Sequence, residues 1–496
     1  MPTDITQTGI LRLVSQKLRS LTGLDMVRNP DTPKLRGYRK FFPPAPLVPE
    51  GYHSKGLYKD VFSIAWPALL ELILSQLASM ADMMMVGGLG AWAIAAVGLT
   101  TQPKFLLMMM IMALNVGATA LVARFRGAGD QESANKVFRQ AITLTFAISL
   151  ICSVVGYFFS RNLVIFMGAQ EEAVINGGTI YLQIQMLGFV PLMLTSTVTA
   201  SMRGAGFSRQ ALVYNTVSNL VNIVLNFLLI EGRFGFPRLE LFGASLATSI
   251  GQCIAFTIAI SLMLSQKYYI RLRLKDSFKP DFSLIARISR IGVPALLEQG
   301  FMRVGVIIFS REIAGLGTIA FATHNVAMNI QALSFMSCMA FSTASTSLVG
   351  QSLGKKNPTL AECYCSRSRR LGQLIAIVLM VIFTLFGRQI VSLYNDDPAI
   401  VDTGSKILLM LVAILPLQSS QLITAGSLRG AGDTRFTAFV TFCTIFLLRP
   451  GLAILLINYT PLGLYGAWIA LISDQLLRSV FVLWRYASGV WKKIKV

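Results

Sequence analysis

The chain has 496 residues, of which 54% are hydrophobic and only 14% charged, and its net charge is +21. Soluble proteins carry about a quarter charged residues, so this composition, with a mean hydropathy of +0.62, excludes an ordinary soluble domain. Apolar runs of about 20 residues recur, each long enough to cross the roughly 30 Å hydrocarbon core of a bilayer. We predict an all-α membrane protein with twelve transmembrane spans, at about residues 63–86, 94–122, 138–160, 174–201, 211–230, 242–265, 284–311, 318–350, 371–387, 400–426, 436–457 and 464–487.

The distribution of positive charge predicts the orientation of these spans. If the N-terminus is cytoplasmic and the spans alternate, the inner segments hold 34 of the 44 Lys and Arg residues, whereas the outer loops hold 6. This asymmetry follows the positive-inside rule, so we expect both termini in the cytoplasm, and the charge does not indicate a nucleic-acid partner. The plasma membrane is the expected location, and an organellar membrane is the alternative in a eukaryote.

Polar stretches divide the chain into five regions. We predict a basic leader over residues 1–60, a first lobe over 61–266, a linker over 267–283, a second lobe over 284–487 and a tail over 488–496. Apolar residues between Ile10 and Leu24 recur at helical spacing with basic residues among them. That pattern is typical of an amphipathic helix on the inner leaflet, and a solvated tail is an equal alternative.

The two lobes repeat each other in sequence. Pro67-Ala68-Leu69-Leu70-Glu71 recurs as Pro294-Ala295-Leu296-Leu297-Glu298, 227 positions later. Because six spans, an even number, separate the copies, both halves enter the membrane from the same side, as parallel repeats about a pseudo-twofold axis along the membrane normal. Two six-helix lobes arranged in this way can open a cavity between them to either face alternately, which predicts a transporter.

Glycines cluster at the predicted cytoplasmic ends of spans 2, 4, 8 and 10, at Gly127, Gly204, Gly354 and Gly430. We interpret these clusters as helix C-caps, where glycine accepts the left-handed conformation. They lack the Gly-Lys-Ser/Thr ending of a phosphate loop. We therefore expect no nucleotide cofactor, and an H⁺ or Na⁺ gradient should supply the energy for transport.

Asp82, late in span 1, is the strongest functional candidate because an ionisable group at membrane depth is costly. It has no copy in the second half, where the aligned residue is Phe309. Asn222 and Asn226 belong to a stripe of asparagines along one face of span 5, and Thr248 in span 6 offers a hydroxyl. Such a set could couple transport to a proton or a hard cation. The structural alternatives are a helix-end cap for Asp82 and interhelical packing for the amides.

The duplicated Glu71 and Glu298 would attract cationic substrates if both faced the cavity. Alternatively, each satisfies backbone groups freed by its proline kink. Arg303, five residues after Glu298, is a candidate partner that would neutralise it. The other polar residues that we assign to a substrate cavity are Gln76, Gln418 and His324. Arg449, Asp474 and Arg478 are predicted to be charge partners within the membrane.

The sequence resembles the multidrug and toxic compound extrusion (MATE) family. The resemblance rests on Asp82 followed by Met85-Val86-Gly87-Gly88-Leu89-Gly90, on Gly127-Ala128-Gly129-Asp130 and on Ser427-Leu428-Arg429-Gly430-Ala431-Gly432-Asp433. It covers about residues 55–490. It implies a V-shaped pair of lobes that export organic, often cationic, compounds in exchange for H⁺ or Na⁺.

The resemblance also implies an ion-coupling site in the first lobe, formed by Asp82, Asn222, Asn226 and Thr248 and possible for Na⁺. The second of the two span 5 positions is acidic in some relatives and is Asn226 here. Two acids that some members carry in the second lobe fall at Met302 and Gln418. Since one carboxylate suffices for a proton, the resemblance places coupling at Asp82 with a preference for H⁺.

These observations predict a cation-coupled antiporter, not an enzyme, that works by alternating access. Its expected partners are small organic substrates and the lipid bilayer, and we expect a monomer. One alternative is a flippase for lipids or lipid-linked oligosaccharides, which needs a cavity rich in Arg and Lys. A second alternative, a membrane-embedded transferase, needs catalytic acids or His clustered at one membrane face. The only Asp-Asp pair, Asp396-Asp397, lies in a predicted outer loop beside Pro398 and is typical of a turn.

Overall fold

The computed structural model describes residue 46 and residues 48–273 and 275–494. Helices and the turns between them account for all of this part of the chain, and no strand occurs in it. The amphipathic helix predicted between Ile10 and Leu24 lies outside the described residues. The expectation of an all-α membrane protein is confirmed.

Twelve spans can be assigned, ten of them single long helices and two of them bent pairs of helices. In chain order the spans are Ser54–Gly87, Ala91–Ala128, Gln131–Phe158, Glu172–Leu187 with Phe189–Gly204, Ser208–Leu229, Glu240–Leu264, Phe282–Ala314, Thr318–Gly354, Pro358–Ser392, Pro398–Val412 with Leu415–Ala431, Thr434–Tyr459 and Gly463–Ala487. Span 11 contains a π-helical segment, Phe442–Leu448. A short helix, Ser160–Phe166, joins spans 3 and 4.

Spans 4 and 10 are bent at equivalent places, which the sequence did not predict. The bend is 50° in span 4 and 54° in span 10. Gly188 separates the two helices of span 4, and Pro416 lies at the start of the second helix of span 10. Proline has no N–H and removes a helical hydrogen bond, and glycine accepts a break readily. The two lobes therefore share this irregularity as well as their sequence repeat.

Spans 1 and 7 change lobes along their length. Near its start, span 1 packs through Leu57 and Val61 in a core with Leu348 and Leu360 of the second lobe. Span 7 packs equivalently through Ile288 in a core of the first lobe. Farther along, each helix joins its own lobe. The crossover falls near Pro67 and Pro294, so the repeated prolines lie where each helix passes from one lobe to the other.

Glycines hold the two lobes in close contact where spans 2 and 8 cross. A Cβ on Gly127 would lie 1.9 Å from the carbonyl oxygen of Gln351, and one on Gly354 would lie 2.0 Å from that of Arg124. Both separations, 354 − 127 and 351 − 124, equal the 227-residue repeat. A contact in which each residue meets the equivalent of its partner is the mark of a twofold interface. The predicted parallel repeat is thus visible in the packing.

These contacts change the interpretation of the glycine clusters. Gly129 and Gly432 are left-handed caps at φ 77° and 89°, as the sequence predicted. The other glycines that were interpreted as caps instead lie within their helices and permit backbone contact with a neighbouring helix: Gly127, Gly204, Gly354 and Gly430. Beyond the first cap, Asp130 accepts a hydrogen bond from the Ser133 N–H at 2.9 Å. The Ser133 side chain and its N–H together hold the pKa of Asp130 below its usual value.

The polar linker between the lobes is bound to the first lobe. Gln131 donates to the Tyr269 carbonyl at 2.8 Å, and the Arg271 N–H donates to Asn135 at 2.9 Å. Gln140 donates to the Lys279 carbonyl at 2.8 Å. The linker is therefore bound to span 3 of the first lobe, and from there it connects to span 7.

Candidate ion-coupling site

A cavity of about 350 Å³ lies within the first lobe, between spans 1, 4, 5 and 6. Its lining alternates small side chains with amides and hydroxyls, and it contains two carboxylates. The lining residues are Glu71, Ser75, Ala78, Ser79, Asp82, Leu192, Thr195, Asn215, Ser218, Asn219, Asn222, Thr248, Gln252 and Ala255. Asp82, Asn222 and Thr248, which the sequence singled out from three different spans, meet in this cavity.

Asp82 is held by amides of span 5. The Asn226 side-chain nitrogen donates to Asp82 Oδ1 at 2.6 Å. The Asn222 amide satisfies its neighbours best with its nitrogen toward Asp82, at 2.8 Å from Oδ1 and 3.1 Å from Oδ2. In that orientation its oxygen accepts from the Thr248 hydroxyl at 3.1 Å. All four predicted coupling residues thus form one hydrogen-bonded chain from span 1 through span 5 to span 6.

The helical spacing of span 5 explains why both amides reach one carboxylate. Asn222 and Asn226 are four residues apart and lie on the same helix face, one turn above the other. One turn earlier on that face, Asn219 donates to Ser75 at 3.2 Å. A further turn earlier, Asn215 donates to Glu71 at 2.7 Å. The asparagine stripe therefore joins spans 1 and 5 along most of the cavity wall.

The site offers oxygen ligands that suit a hard cation. Asp82 contributes two oxygens, and Thr248 contributes its hydroxyl. Asn226 Oδ1 is buried with no hydrogen-bond partner, so a rotation of this amide would bring an unused acceptor toward the carboxylate. In the described residues no group of three or more His, Cys, Asp or Glu side chains is clustered to hold a metal. A cation here would rest on one carboxylate and neutral oxygens.

Glu71 lines the same cavity but is already paired. Arg203, at the end of span 4, approaches Glu71 Oε2 at 2.6 Å, while Asn215 donates to the other carboxylate oxygen. The side chain is 8% exposed. Because the arginine neutralises this glutamate, Asp82 is the carboxylate of the cavity without a basic partner.

Glu298 repeats this arrangement in the second lobe. It pairs with Arg429 at the end of span 10 and accepts a hydrogen bond from Thr437 at 2.9 Å. Arg429 lies 226 residues after Arg203, so the ion pair is duplicated with its helices. The partner of Glu298 is therefore Arg429 and not the neighbouring Arg303.

The remaining cavity candidates lie apart from this cavity. Arg303 stacks on Phe105 of span 2, with its Cζ 3.6 Å from the ring centroid, so it lies at the contact between the lobes. Gln76 is exposed on span 1 and does not line this cavity. Gln418 and His324 are buried in the second lobe at 2% and 3% exposure.

The charged residues of spans 11 and 12 do form the predicted intramembrane cluster. Asp474 is fully buried and pairs with Arg449, and Arg478 approaches it at 3.6 Å. His324 lies beside this cluster, since its ring is 5.7 Å from the Phe309 ring and Arg449 Cζ lies 5.7 Å from the centroid of the same ring. The π-helical segment of span 11 ends directly before Arg449. This cluster is the polar centre of the second lobe.

One charge at membrane depth, Lys104, was not predicted from the sequence. Lys104 of span 2 donates from Nζ to Gln185 of span 4, and Gln185 is 1% exposed. Lys104 makes no ion pair with any described residue. The sequence did carry a signal, since Lys104 is one of only two lysines within the twelve predicted spans, and the other, Lys406, lies near the start of span 10.

Comparisons with known proteins agree with this architecture. The MatE family model matches residues 67–228 and 294–455, once in each half of the chain. The chain is 28% identical over 457 residues to the probable multidrug resistance protein NorM of Thermotoga maritima, covering 92% of this chain and 96% of that protein. It is 26% identical over 432 residues to the multidrug resistance protein MdtK of Yersinia pseudotuberculosis, covering 86% and 94%.

The fold is similar to solved structures. A crystal structure of MATE in the bent conformation matches with a TM-score of 0.81 at 22% identity, over 89% of this chain and all but 1% of that one. An outward-facing MATE transporter matches with a TM-score of 0.81 at 23% identity, over 88% and 97%. Both matches concern the fold.

Proposed function

The chain belongs to the MATE family of multi-pass membrane transporters, and from that premise we propose that it exports organic cations or cationic amphipathic compounds in exchange for H⁺ or Na⁺. It is a transporter and not an enzyme. The relatives named as multidrug resistance proteins support export of several compounds rather than of one metabolite. Asp82 is proposed as the residue at which the ion acts.

The observation that carries this proposal is the environment of Asp82. Its carboxylate lies in a cavity, is hydrogen-bonded only by neutral amides, and has no counterpart in the second lobe, where Phe309 is buried at 2% exposure. Glu71 and Glu298, in contrast, each have an arginine partner. An unpaired carboxylate at membrane depth has most to gain from a proton or a cation.

Ion binding at Asp82 would rearrange its hydrogen bonds. A protonated carboxyl donates a hydrogen bond, whereas both amide nitrogens present donors to the carboxylate. Either protonation or a bound Na⁺ therefore favours turning at least one amide oxygen toward Asp82. Since Asn222 and Asn226 belong to span 5 and Asp82 to span 1, the change alters the contact between these helices and the width of the cavity.

Coupling to export follows if substrate and ion compete for the same negative charge. An organic cation is attracted to the cavity while Asp82 is ionised, and it loses that attraction when a proton or Na⁺ neutralises the carboxylate. An inwardly directed gradient of that ion would then drive release of the substrate to the outside. The lobes need to separate at the contact between Gly127 and Gln351 for the cavity to reload from the opposite face.

The flippase alternative has less support in this cavity. Phosphate recognition calls for arginine or lysine groups that are free to bind an anion. Among the described residues, those that line the cavity include no arginine or lysine. Arg203, which contacts the lining residue Glu71, is paired with it. The remaining polar lining consists of hydroxyls, amides and Asp82.

The proposal is tested by reconstituting the full chain in proteoliposomes loaded with a fluorescent organic cation. A pH gradient and a Na⁺ gradient are imposed in separate arms, with a K⁺ gradient of equal size as the control. We expect export under at least one of the first two gradients and none under K⁺. Export that is equal in all three arms, or movement of a short-chain fluorescent phospholipid instead of the dye, contradicts the proposal.

A further inference from the structure

Two arginines of span 9 face span 1 near the start of both helices. Arg367 Cζ lies 5.2 Å from the centroid of the Tyr58 ring, and the Arg370 Nη1 group is 3.5 Å from the Tyr58 hydroxyl. The two arginines are three residues apart and share one helix face. The apolar run 371–387 begins directly after them, so their guanidinium groups lie at the level of lipid headgroups.

These arginines have no anionic partner among the described residues. Arg367 is only 7% exposed, and the Nε atoms of both Arg367 and Arg370 are buried without a hydrogen bond. Acids on the same two helices are engaged elsewhere: Asp60 accepts from Tyr364 at 2.7 Å, and Glu362 pairs with Lys492. A buried guanidinium without an anionic partner is costly, so an anion would stabilise this pair.

Apolar side chains continue from the arginine pair into the membrane on both helices. Phe62 and Trp66 follow Tyr58 by one and two turns, are about half exposed, and stack with ring centroids 5.9 Å apart. On span 9, Leu374 and Val378 follow Arg370 in the same way, at 60% and 51% exposure. The surface is basic at one end and apolar along its length, which are the two halves of a phospholipid.

We propose that the surface between spans 1 and 9 binds an anionic phospholipid. Arg367 and Arg370 hold its phosphate by charge-assisted hydrogen bonds, and the Tyr58 ring lies beside that headgroup. One acyl chain lies along Phe62 and Trp66. This site is separate from the cavity of Asp82 and is independent of the transported compound.

A lipid bound between spans 1 and 9 would affect transport. The first part of span 1 packs on the second lobe through Leu57 and Val61, and span 9 belongs to that lobe. A lipid held at Arg367 and Arg370 therefore stabilises the arrangement in which span 1 contacts span 9. Removal of the lipid should favour separation of the lobes at this membrane face.

Lipid retention by the purified full chain tests the proposal. The protein is placed in nanodiscs with equal amounts of phosphatidylglycerol and phosphatidylcholine of identical acyl chains, and bound lipid is counted by native mass spectrometry after release. The double variant Arg367→Gln/Arg370→Gln is compared with Lys267→Gln/Arg290→Gln, which removes two exposed charges away from the surface between spans 1 and 9. We expect retention of phosphatidylglycerol to fall at least about tenfold in the first variant and to stay unchanged in the control.

Two further arms separate a lipid from a free anion and from a folding defect. Phe62→Ala/Trp66→Ala should weaken lipid retention while both arginines remain. Inorganic phosphate at about 10 mM, which is enough to occupy a weak anion site, should not displace the lipid. Arg367→Lys/Arg370→Lys keeps the charge and should retain part of the lipid. The proposal is overturned if the double glutamine variant retains as much lipid as the control. It is equally overturned if phosphate displaces the lipid and the aromatic variant has no effect, which identifies a free-anion site.

Discussion

One methyl group added at Gly127, where span 2 contacts span 8, should push the two lobes apart at that contact. In Gly127→Ala the new Cβ would lie 1.9 Å from the carbonyl oxygen of Gln351, whereas ordinary contact begins at 3.4 Å. The difference means that spans 2 and 8 must part by about 1.5 Å at this point. Overpacking of this kind costs about 1–3 kcal/mol, which shifts a two-state equilibrium by about 5- to 150-fold.

The assay is the distance between spin labels at Glu132→Cys in the first lobe and Thr359→Cys in the second, in a chain whose native cysteines are replaced by serine. Both positions are exposed. Gly127→Ala should increase the population with the longer distance. Gly98→Ala is the control, because it lies in the same span, has no atom within 4 Å of its added Cβ, and gains the same helix propensity.

If Gly127→Ala and Gly98→Ala gave the same distance distribution and the same thermal stability, the contact between spans 2 and 8 would not hold the lobes together. Gly354→Ala provides an independent repeat of the experiment, since it forms the twofold-related contact with Arg124 at 2.0 Å. An opening by Gly127→Ala without an opening by Gly354→Ala would contradict the twofold account.

The Gln351 hydrogen bond between the lobes and the buried Asp474 cluster each give a further prediction. Gln351→Ala removes a 3.0 Å hydrogen bond to the Gly204 carbonyl of the other lobe. In the same spin-label assay the long-distance population should rise by about fivefold, which corresponds to about 1 kcal/mol. An unchanged distance distribution would show that this hydrogen bond does not hold the lobes together. Asp474→Asn leaves Arg449 and Arg478 buried without a carboxylate and should cost about 3–5 kcal/mol. The melting temperature in detergent should fall for that variant and stay unchanged for Asp402→Asn, an exposed acid; equal melting temperatures would show that the cluster does not need its acid.

Much of the fold could be predicted because its determinants are local or repeated. Apolar length defined the twelve spans, and the recurrence of Pro67–Glu71 at Pro294–Glu298 defined the parallel repeat. The bends of spans 4 and 10 were not predicted, since hydropathy is the same for a straight and a bent span, and proline also occurs within the unbroken helices of spans 1, 2 and 7. The passage of spans 1 and 7 between lobes depends on packing against distant helices, and no local pattern reports it.

The candidate site shows the same division. Asp82, Asn222, Asn226 and Thr248 could be selected because polar residues stand out in apolar runs, and the structure brings them together. Partners could not be assigned in the same way. Proximity in sequence suggested Arg303 for Glu298, but helical geometry points side chains five residues apart in different directions.

The most direct test of the central claim compares Asp82→Asn with Asp402→Asn in everted membrane vesicles energised by a proton or a sodium gradient. Both variants lose one negative charge, and only the first alters the cavity of the first lobe. The account predicts that Asp82→Asn abolishes gradient-driven export of the organic cation while Asp402→Asn exports at the wild-type rate. Full gradient-driven export by Asp82→Asn would contradict it.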